Sequence, residues 1–70
     1  MERVAVRSRD LAIIGYDSET QILEVAFRSG GVYQYLGVAH DIYQGLMTAS
    51  SMGVYFRDSI REQFAHRKLR

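Results

Sequence analysis

Residues 22–36, ILEVAFRSGGVYQYL, contain the pattern that decides the fold. In the first half of this stretch, Leu23, Val25 and Phe27 alternate with more polar neighbours, which is typical of a half-buried β-strand. The glycines of Ser-Gly-Gly at 29–31 tolerate the backbone angles of a tight turn, and the β-forming residues after them return as a second strand. The stretch therefore predicts a β-hairpin.

A third strand precedes this hairpin. Residues 11–16, LAIIGY, are rich in β-forming residues and end at the polar turn 17–20, DSET. Because this turn has four residues, we expect Tyr16 to pair with Gln21. Residues 4–6, VAV, supply an optional extra strand at the N-terminus. Together these segments predict a three-stranded antiparallel meander in sequential order, with room for a fourth strand.

Apolar residues follow a helical period after Gly37. The first helical face consists of Ile42, Tyr43, Leu46 and Met47. Asp41 lies in the first turn, where the helix dipole favours a negative charge. Ser50 or Ser51 can cap a second helix. The apolar stripe of that helix consists of Met52, Phe56, Ile60 and Phe64. We expect both helices to pack on one face of the sheet, which gives an α+β domain, and we expect the chain to fray from His66.

Length and composition limit the functions open to the chain. Its 70 residues, with nine Lys and Arg, eight Asp and Glu and a net charge of +1, predict a single domain over residues 1–70, with a basic C-terminal tail at 65–70. The absence of cysteine excludes a disulfide framework, a thiol nucleophile and a thiolate zinc site. The longest apolar run, Leu11–Ile14, is far shorter than the ~20 residues of a membrane span, so we expect a soluble, cytoplasmic protein with no membrane partner.

Charge is distributed unevenly along the chain. Both ends are net basic, residues 1–9 and 57–70, whereas the middle is net acidic. If the second helix continues into the tail, Arg57, Arg61 and Lys68 share one flank beside its apolar stripe. A solvated helix flank is the structural explanation of this cluster, and a nucleic-acid contact is the functional one.

The length of the second turn decides which face carries two tyrosines. A two-residue turn at 29–30 pairs Val25 with Gln34 and leaves Tyr33 and Tyr35 on the solvent face of the sheet. A three-residue turn pairs Val25 with Tyr35 and directs both tyrosines toward the core. We expect the first arrangement, in which the tyrosines are exposed.

Four sequence elements together point to a known family. They are Gly15-Tyr16-Asp17, then Leu23-x-Val25-x-Phe27, then Tyr33-Gln34-Tyr35 with Gly37-Val38, and finally Ala49-Ser50-Ser51-x-Gly53-x-Tyr55-Phe56 with Ile60. Over residues 6–64 they resemble the KTSC domain, a family named for its place at the C-terminus of some lysyl-tRNA synthetases and also found as short stand-alone bacterial proteins. The resemblance implies a proposed RNA-binding role and no established activity. The chain departs from the family pattern at Ala39, where proline is common, and at Arg57, where asparagine is common.

RNA binding is the first functional hypothesis. Bases would stack on Tyr33 and Tyr35, and Arg28, Arg57 and Arg61 would contact phosphates of RNA or tRNA. A separate anion could bind at the start of the second helix. Its contacts would be Ser51 and Gly53, with free backbone N–H groups beside them. The alternative is that both tyrosines are ordinary strand residues that pack in the core.

A protein-interaction module is the second hypothesis. The same tyrosine face, or an open strand edge, could bind a protein partner or a second copy of the chain. Glu24, expected beside Tyr35, favours this reading over RNA. Catalysis is not expected, because His40 and His66 are far apart in sequence and no cysteine or spaced carboxylate pair completes a metal site. We therefore expect no catalytic residue, no metal and no cofactor.

Overall fold

The computed structural model describes residues 1–70 as an antiparallel β-sheet with two helices on one face. The strands are β1 (Glu2–Ala5), β2 (Leu11–Asp17), β3 (Ile22–Phe27), β4 (Val32–Tyr35) and β5 (His66–Lys68), and the helices are α1 (His40–Thr48) and α2 (Met52–Ser59). The strands lie in the sequential order β1-β2-β3-β4-β5. The α+β class, the central meander, the N-terminal strand and the two helices are as predicted, but the sheet has five strands rather than three or four.

The fifth strand corrects the prediction for the C-terminus. Helix α2 ends at Ser59 instead of continuing through Phe64, and the segment expected to fray pairs with β4. His66 lies opposite Tyr35, and Lys68 lies opposite Tyr33. Lys68 is therefore on a strand and not on a helix flank with the arginines. The cause is non-local, since the free edge of β4 carries backbone N–H and C=O groups that need partners.

In the first hairpin, the register differs from the prediction by two residues. Tyr16 pairs with Leu23 rather than with Gln21, and Ile14 pairs with Val25. Gln21 is left in the loop with a positive φ of 57°. Because a two-residue shift preserves the side-chain alternation, the predicted core face is unchanged and Leu23, Ile14 and Val25 are all buried.

In the second hairpin, the register reverses the expected placement of the tyrosines. Val25 pairs with Tyr33, and Leu23 pairs with Tyr35. The turn is closed by hydrogen bonds of 2.8 Å from the Phe27 N–H to the Gly31 carbonyl and 2.9 Å from the Gly30 N–H to the Phe27 carbonyl. The turn has three residues, 28–30, as in the second alternative, but it begins one residue earlier, so the pairing is shifted by two residues and the side chains keep the faces of that alternative. It places both tyrosines on the helix-covered face, so the expectation that they face solvent was wrong.

The two helices are joined through a glycine contact. Ser51 caps α2, its side chain accepting a 3.3 Å hydrogen bond from the Val54 N–H. The Tyr55 ring packs against Gly45 of α1, where a Cβ atom would collide with it.

The buried core cluster under the helices comprises Leu11, Ile14, Leu23, Val25, Tyr35, Val38, Leu46, Phe56 and Ile60. Neither helix has the length and hydrophobicity needed to cross a membrane.

A polar ladder crosses the face of the sheet that the helices leave open. Arg3 donates to Glu24 through Nε at 2.6 Å, Gln34 donates to the same carboxylate at 3.0 Å, and Arg67 donates to Gln34 at 2.9 Å. Gly15 lies between Arg3 and Glu24 in the register, and its missing side chain lets Arg3 reach across. Glu24 is consequently buried on the face opposite Tyr35, not beside it.

Candidate nucleic-acid interface

A groove of about 1390 Å³ lies between the helix-covered face of the sheet and the N-terminal half of α2. The groove is open to solvent and exceeds the roughly 300–1,000 Å³ of most small-molecule sites. All seven residues that the sequence suggested for nucleic-acid or anion binding line it: Arg28, Tyr33, Tyr35, Ser51, Gly53, Arg57 and Arg61. The fold therefore brings together residues that are distant in sequence.

The bottom of the groove is an aromatic floor, formed by Phe27, Tyr33, Tyr35, Phe56 and His66. The Tyr35 ring meets Phe56 edge-on at 5.3 Å between centroids, and Tyr33 meets Phe27 edge-on at 5.7 Å. The ring centroid of His66 lies 5.3 Å from that of Tyr35 and 6.0 Å from that of Tyr33. Such edge-to-face contacts stabilise a rigid cluster.

The two tyrosines of this floor have different roles. Tyr35 is only 3% exposed, and burial raises the pKa of its hydroxyl while the nearby Arg61 charge opposes the rise. Tyr33 is half-buried and His66 is exposed. A ligand in the groove can therefore contact the rings of Tyr33 and His66, whereas Tyr35 supports them from below. Sequence reasoning missed His66 because it assigned that residue to a frayed tail.

Arginines from separate parts of the chain line the groove. Arg57 and Arg61 lie on and after α2, and Arg7 and Arg9 lie on the loop between β1 and β2. With Arg28, five arginines but only two acidic residues line the groove. Sequence reasoning did not select Arg7 and Arg9, although the net basic character of both chain ends was a signal of their importance. The fold joins those two ends at the groove.

Arg57 and Arg61 remain available to a ligand. Arg57 forms an ion pair with Asp58 at 3.1 Å, but both side chains are more than half exposed. Exposed pairs of this kind contribute about 0–1 kcal/mol, so a phosphate can displace Asp58 at little cost. Arg61 takes part in neither of the protein's two ion pairs.

Arg28 is already engaged within the protein. Its Nε donates to the Ser8 carbonyl at 2.6 Å, and its Nη2 donates to the Val6 carbonyl at 2.9 Å. Its backbone N–H donates to the Asp10 carbonyl at 2.8 Å. The side chain that the sequence assigned to phosphate contact therefore holds the β1–β2 loop.

The carboxylate of Asp10, from the loop between β1 and β2, lies beside the start of α2. The hydroxyl of Ser51 is occupied as the helix cap. The Asp10 carboxylate approaches Gly53, where a Cβ atom would lie 3.1 Å from Oδ2. Because like charges repel, this arrangement disfavours a second anion between Ser51 and Gly53. The missing side chain of Gly53 instead lets the Asp10 loop come close to the start of α2.

The structure contains no cluster of potential metal ligands. No group of three or more His, Cys, Asp or Glu side chains is arranged to hold a metal ion. His40 belongs to a second aromatic cluster outside the groove, 6.0 Å from Tyr16 and 5.9 Å from Tyr43 between ring centroids. His40 and His66 are therefore in different clusters.

Comparison with known proteins places the chain in a family. A family model described as the KTSC domain matches residues 7–64. The chain belongs to the KTSC domain family. The crystal structure of the KTSC domain protein YPO2434 from Yersinia pestis is 40% identical to this KTSC domain, with a TM-score of 0.95 over 99% of this chain and 97% of that one.

Two relatives show the settings in which similar sequences occur. An uncharacterized protein of Stutzerimonas stutzeri is 44% identical over 63 residues, covering 90% of this chain and 89% of that protein. A lysine–tRNA ligase of Trichormus variabilis is 39% identical over 54 residues, which cover 77% of this chain but 10% of the ligase. The KTSC domain thus matches a stand-alone protein along most of its length and a small part of a tRNA ligase.

Proposed function

We propose that this KTSC domain is a non-catalytic module that binds single-stranded RNA in the groove between the sheet and α2. The observation that carries the proposal is the combination of an aromatic floor with five arginines in one groove. Single-stranded RNA is recognised by stacking unpaired bases on aromatic rings while cationic side chains neutralise the phosphates. Tyr33 and His66 would stack with a base, and Arg57 and Arg61 would contact the backbone.

The similarity to lysine–tRNA ligases supports RNA as the ligand class and tRNA as one candidate. The name of those enzymes identifies tRNA as their substrate, which makes RNA a natural ligand for a domain that resembles part of them, and we place the proposed function in the cytoplasm. Stacking contributes about 1–3 kcal/mol per base. With one accessible tyrosine, one histidine and a few arginines, we expect a dissociation constant on the order of micromolar.

The geometry changes three of the roles expected from the sequence. Tyr35 supports the floor instead of meeting a base, and Arg28 holds a loop instead of meeting a phosphate. We assign no anion to Ser51 and Gly53, because Asp10 already supplies a negative charge there. Tyr33, Arg57 and Arg61 keep their proposed roles.

Nuclear magnetic resonance titration of the labelled protein tests the proposal. A short oligouridylate and a tRNA are each added at about 50 and about 200 mM salt, a range over which phosphate contacts lose much of their affinity. We expect saturable shifts confined to groove residues and weakened by salt. Tyr33→Leu should reduce the affinity about tenfold, the loss expected for one stacked base. Tyr43→Leu is the matched control, because Tyr43 is also half-buried but lies outside the groove.

The same titration separates RNA binding from the protein-interaction hypothesis. Absence of saturable shifts with either RNA at low salt would refute RNA binding. Concentration-dependent shifts of the same groove residues without RNA would instead favour self-association. In the same titration, the resonances of the exposed side chains of Ile13 and Leu69 monitor the face of the sheet opposite the groove.

A further inference from the structure

The loop between β1 and β2, residues 6–10, is held by hydrogen bonds from Arg28 and within the loop itself. Arg28 donates to the carbonyls of Val6, Ser8 and Asp10, the first two through its guanidinium and the third through its backbone. The Ser8 hydroxyl accepts from the backbone N–H groups of Asp10 and Leu11 at 3.4 and 3.3 Å. A connecting loop with so many bonds has a defined conformation.

The side chains of this loop alternate between anchored and free. Val6 packs against the core and Ser8 is half-buried, whereas Arg7 and Arg9 between and after them are exposed. Neither arginine takes part in the two ion pairs of the protein. Both line the groove. Because Val6 and Ser8 anchor the loop, the guanidinium groups of Arg7 and Arg9 face the groove without an ion-pair partner and can contact a ligand there.

We propose that Arg7 and Arg9 form a phosphate-binding wall that contacts the backbone of the bound strand, and that Arg28 is the positioning residue that holds the loop carrying them, while Asp10 of the same loop faces the start of α2. This inference rests on the proposed RNA-binding function. Guanidinium groups suit the role because their planar fork binds a phosphate through two hydrogen bonds. A wall that is ordered before binding avoids much of the entropy cost of ordering it in the complex.

The other charges in the groove make the assignment specific. Arg57 and Arg61 contribute a second pair of charges to the same groove, which also contains the aromatic floor. A single strand whose base meets Tyr33 can then have its flanking phosphates within reach of these charges. The ligand this geometry fits is a flexible polyanion with unpaired bases.

Salt dependence of binding tests the roles of Arg7 and Arg9. For single strands, a plot of log affinity against log salt has a negative slope, and the magnitude of that slope decreases by about 0.7 for each phosphate contact that is lost. Arg7→Gln and Arg9→Gln should each reduce the slope of oligouridylate binding by about this amount. Arg67→Gln is the matched control, because it removes the same charge from the open face and should leave the slope unchanged.

A double-mutant cycle tests the positioning role of Arg28. Arg28→Met should weaken RNA binding severalfold in the native sequence but have no further effect when Arg7 and Arg9 are both already glutamine. Equal losses in the two backgrounds would show that Arg28 itself meets the RNA, which would overturn the positioning role. Amide exchange of residues 6–10 without RNA gives a second measurement, and it should accelerate in Arg28→Met. If Arg28→Met does not fold, Arg28→Lys is used in its place.

The outcomes separate this inference from the function on which it rests. If the native protein fails to bind oligouridylate or tRNA at low salt, RNA binding and the phosphate wall both fail. If the native protein binds, but Arg7→Gln and Arg9→Gln match Arg67→Gln in slope and affinity, only the wall is refuted. Reduced slopes in both loop variants would establish it.

Discussion

The hydroxyl of Tyr55 in α2 donates a 3.1 Å hydrogen bond to the carbonyl of Ile42 in α1, and the ring of Tyr55 packs against Gly45. Glycine normally weakens a helix interior. Here the absent side chain provides the space that lets the second helix dock on the first. The contact fixes α2, and thereby the side of the groove that carries Arg57.

We expect Gly45→Ala to destabilise the protein, because the added Cβ would collide with the Tyr55 hydroxyl and ring. Overpacking typically costs about 1–3 kcal/mol, which exceeds the gain of roughly 1 kcal/mol that alanine offers in an unconstrained helix. Urea denaturation gives the free energy of unfolding. In a Tyr55→Leu background the same substitution should become neutral or stabilising, and persistence of the full loss there would contradict the explanation.

The two tyrosines of β4 should differ in their effect on stability. Tyr35 is buried against Phe56, so Tyr35→Ala should lower the free energy of unfolding by about 3–5 kcal/mol, as for other large aromatic truncations in cores. Tyr33 is only half-buried, and Tyr33→Ala should cost clearly less. Thermal and urea denaturation of both variants measure the difference. Equal losses would contradict the distinction between a supporting and an accessible ring.

Acid should weaken the polar ladder on the open face. The hydrogen bond from Arg3, supported by the one from Gln34, lowers the pKa of Glu24 below its ordinary value despite the burial of the carboxyl group. A lowered folded-state pKa means that the carboxylate stabilises the fold above the unfolded pKa of roughly 4.3 and loses this contribution as the pH falls below it. We expect the free energy of unfolding to decline more steeply between about pH 5 and pH 3 in the native protein than in Glu24→Gln.

This comparison isolates Glu24 from other carboxylates. Asp17 also has a lowered pKa, chiefly because its side chain accepts hydrogen bonds from the backbone of Glu19 and Thr20. Asp17 is present in both proteins, so its effect cancels in the difference. Parallel pH profiles for the native protein and Glu24→Gln would show that the ladder does not depend on the charge of Glu24.

Removal of residues 65–70 should expose the edge of β4. The N–H of Val32 donates to the Arg70 carbonyl at 2.7 Å, and the N–H of Leu36 donates to the Ala65 carbonyl at 2.8 Å. Both amides should lose protection from hydrogen exchange in the shortened protein, whereas the Phe27 amide, bonded to Gly31, should keep it. An exposed strand edge also promotes pairing between molecules, so we expect a concentration-dependent increase in apparent mass.

Local sequence patterns determined most of the secondary structure. Alternating apolar residues specified β3, the four-residue spacing from Met52 to Phe56 specified α2, and Ser51 supplied its cap. These features depend on neighbours within a few residues, so they are visible in a single sequence. The sequential order of the strands followed from the short turns between them. The motifs also sufficed to indicate the KTSC family.

The arrangement of the groove was decided by tertiary structure. A change of one residue in hairpin register moves side chains to the other face, and turn composition alone did not distinguish the alternatives for Tyr33. The pairing of His66 with Tyr35 depends on a strand edge far away in the chain. Packing also brought Arg7, Arg9 and Arg57 to the same groove, because contacts between residues so far apart in the chain depend on tertiary packing and not on local propensity. The sequence alone therefore determined the elements and the side chains available, and the tertiary contacts decided which of them share a site.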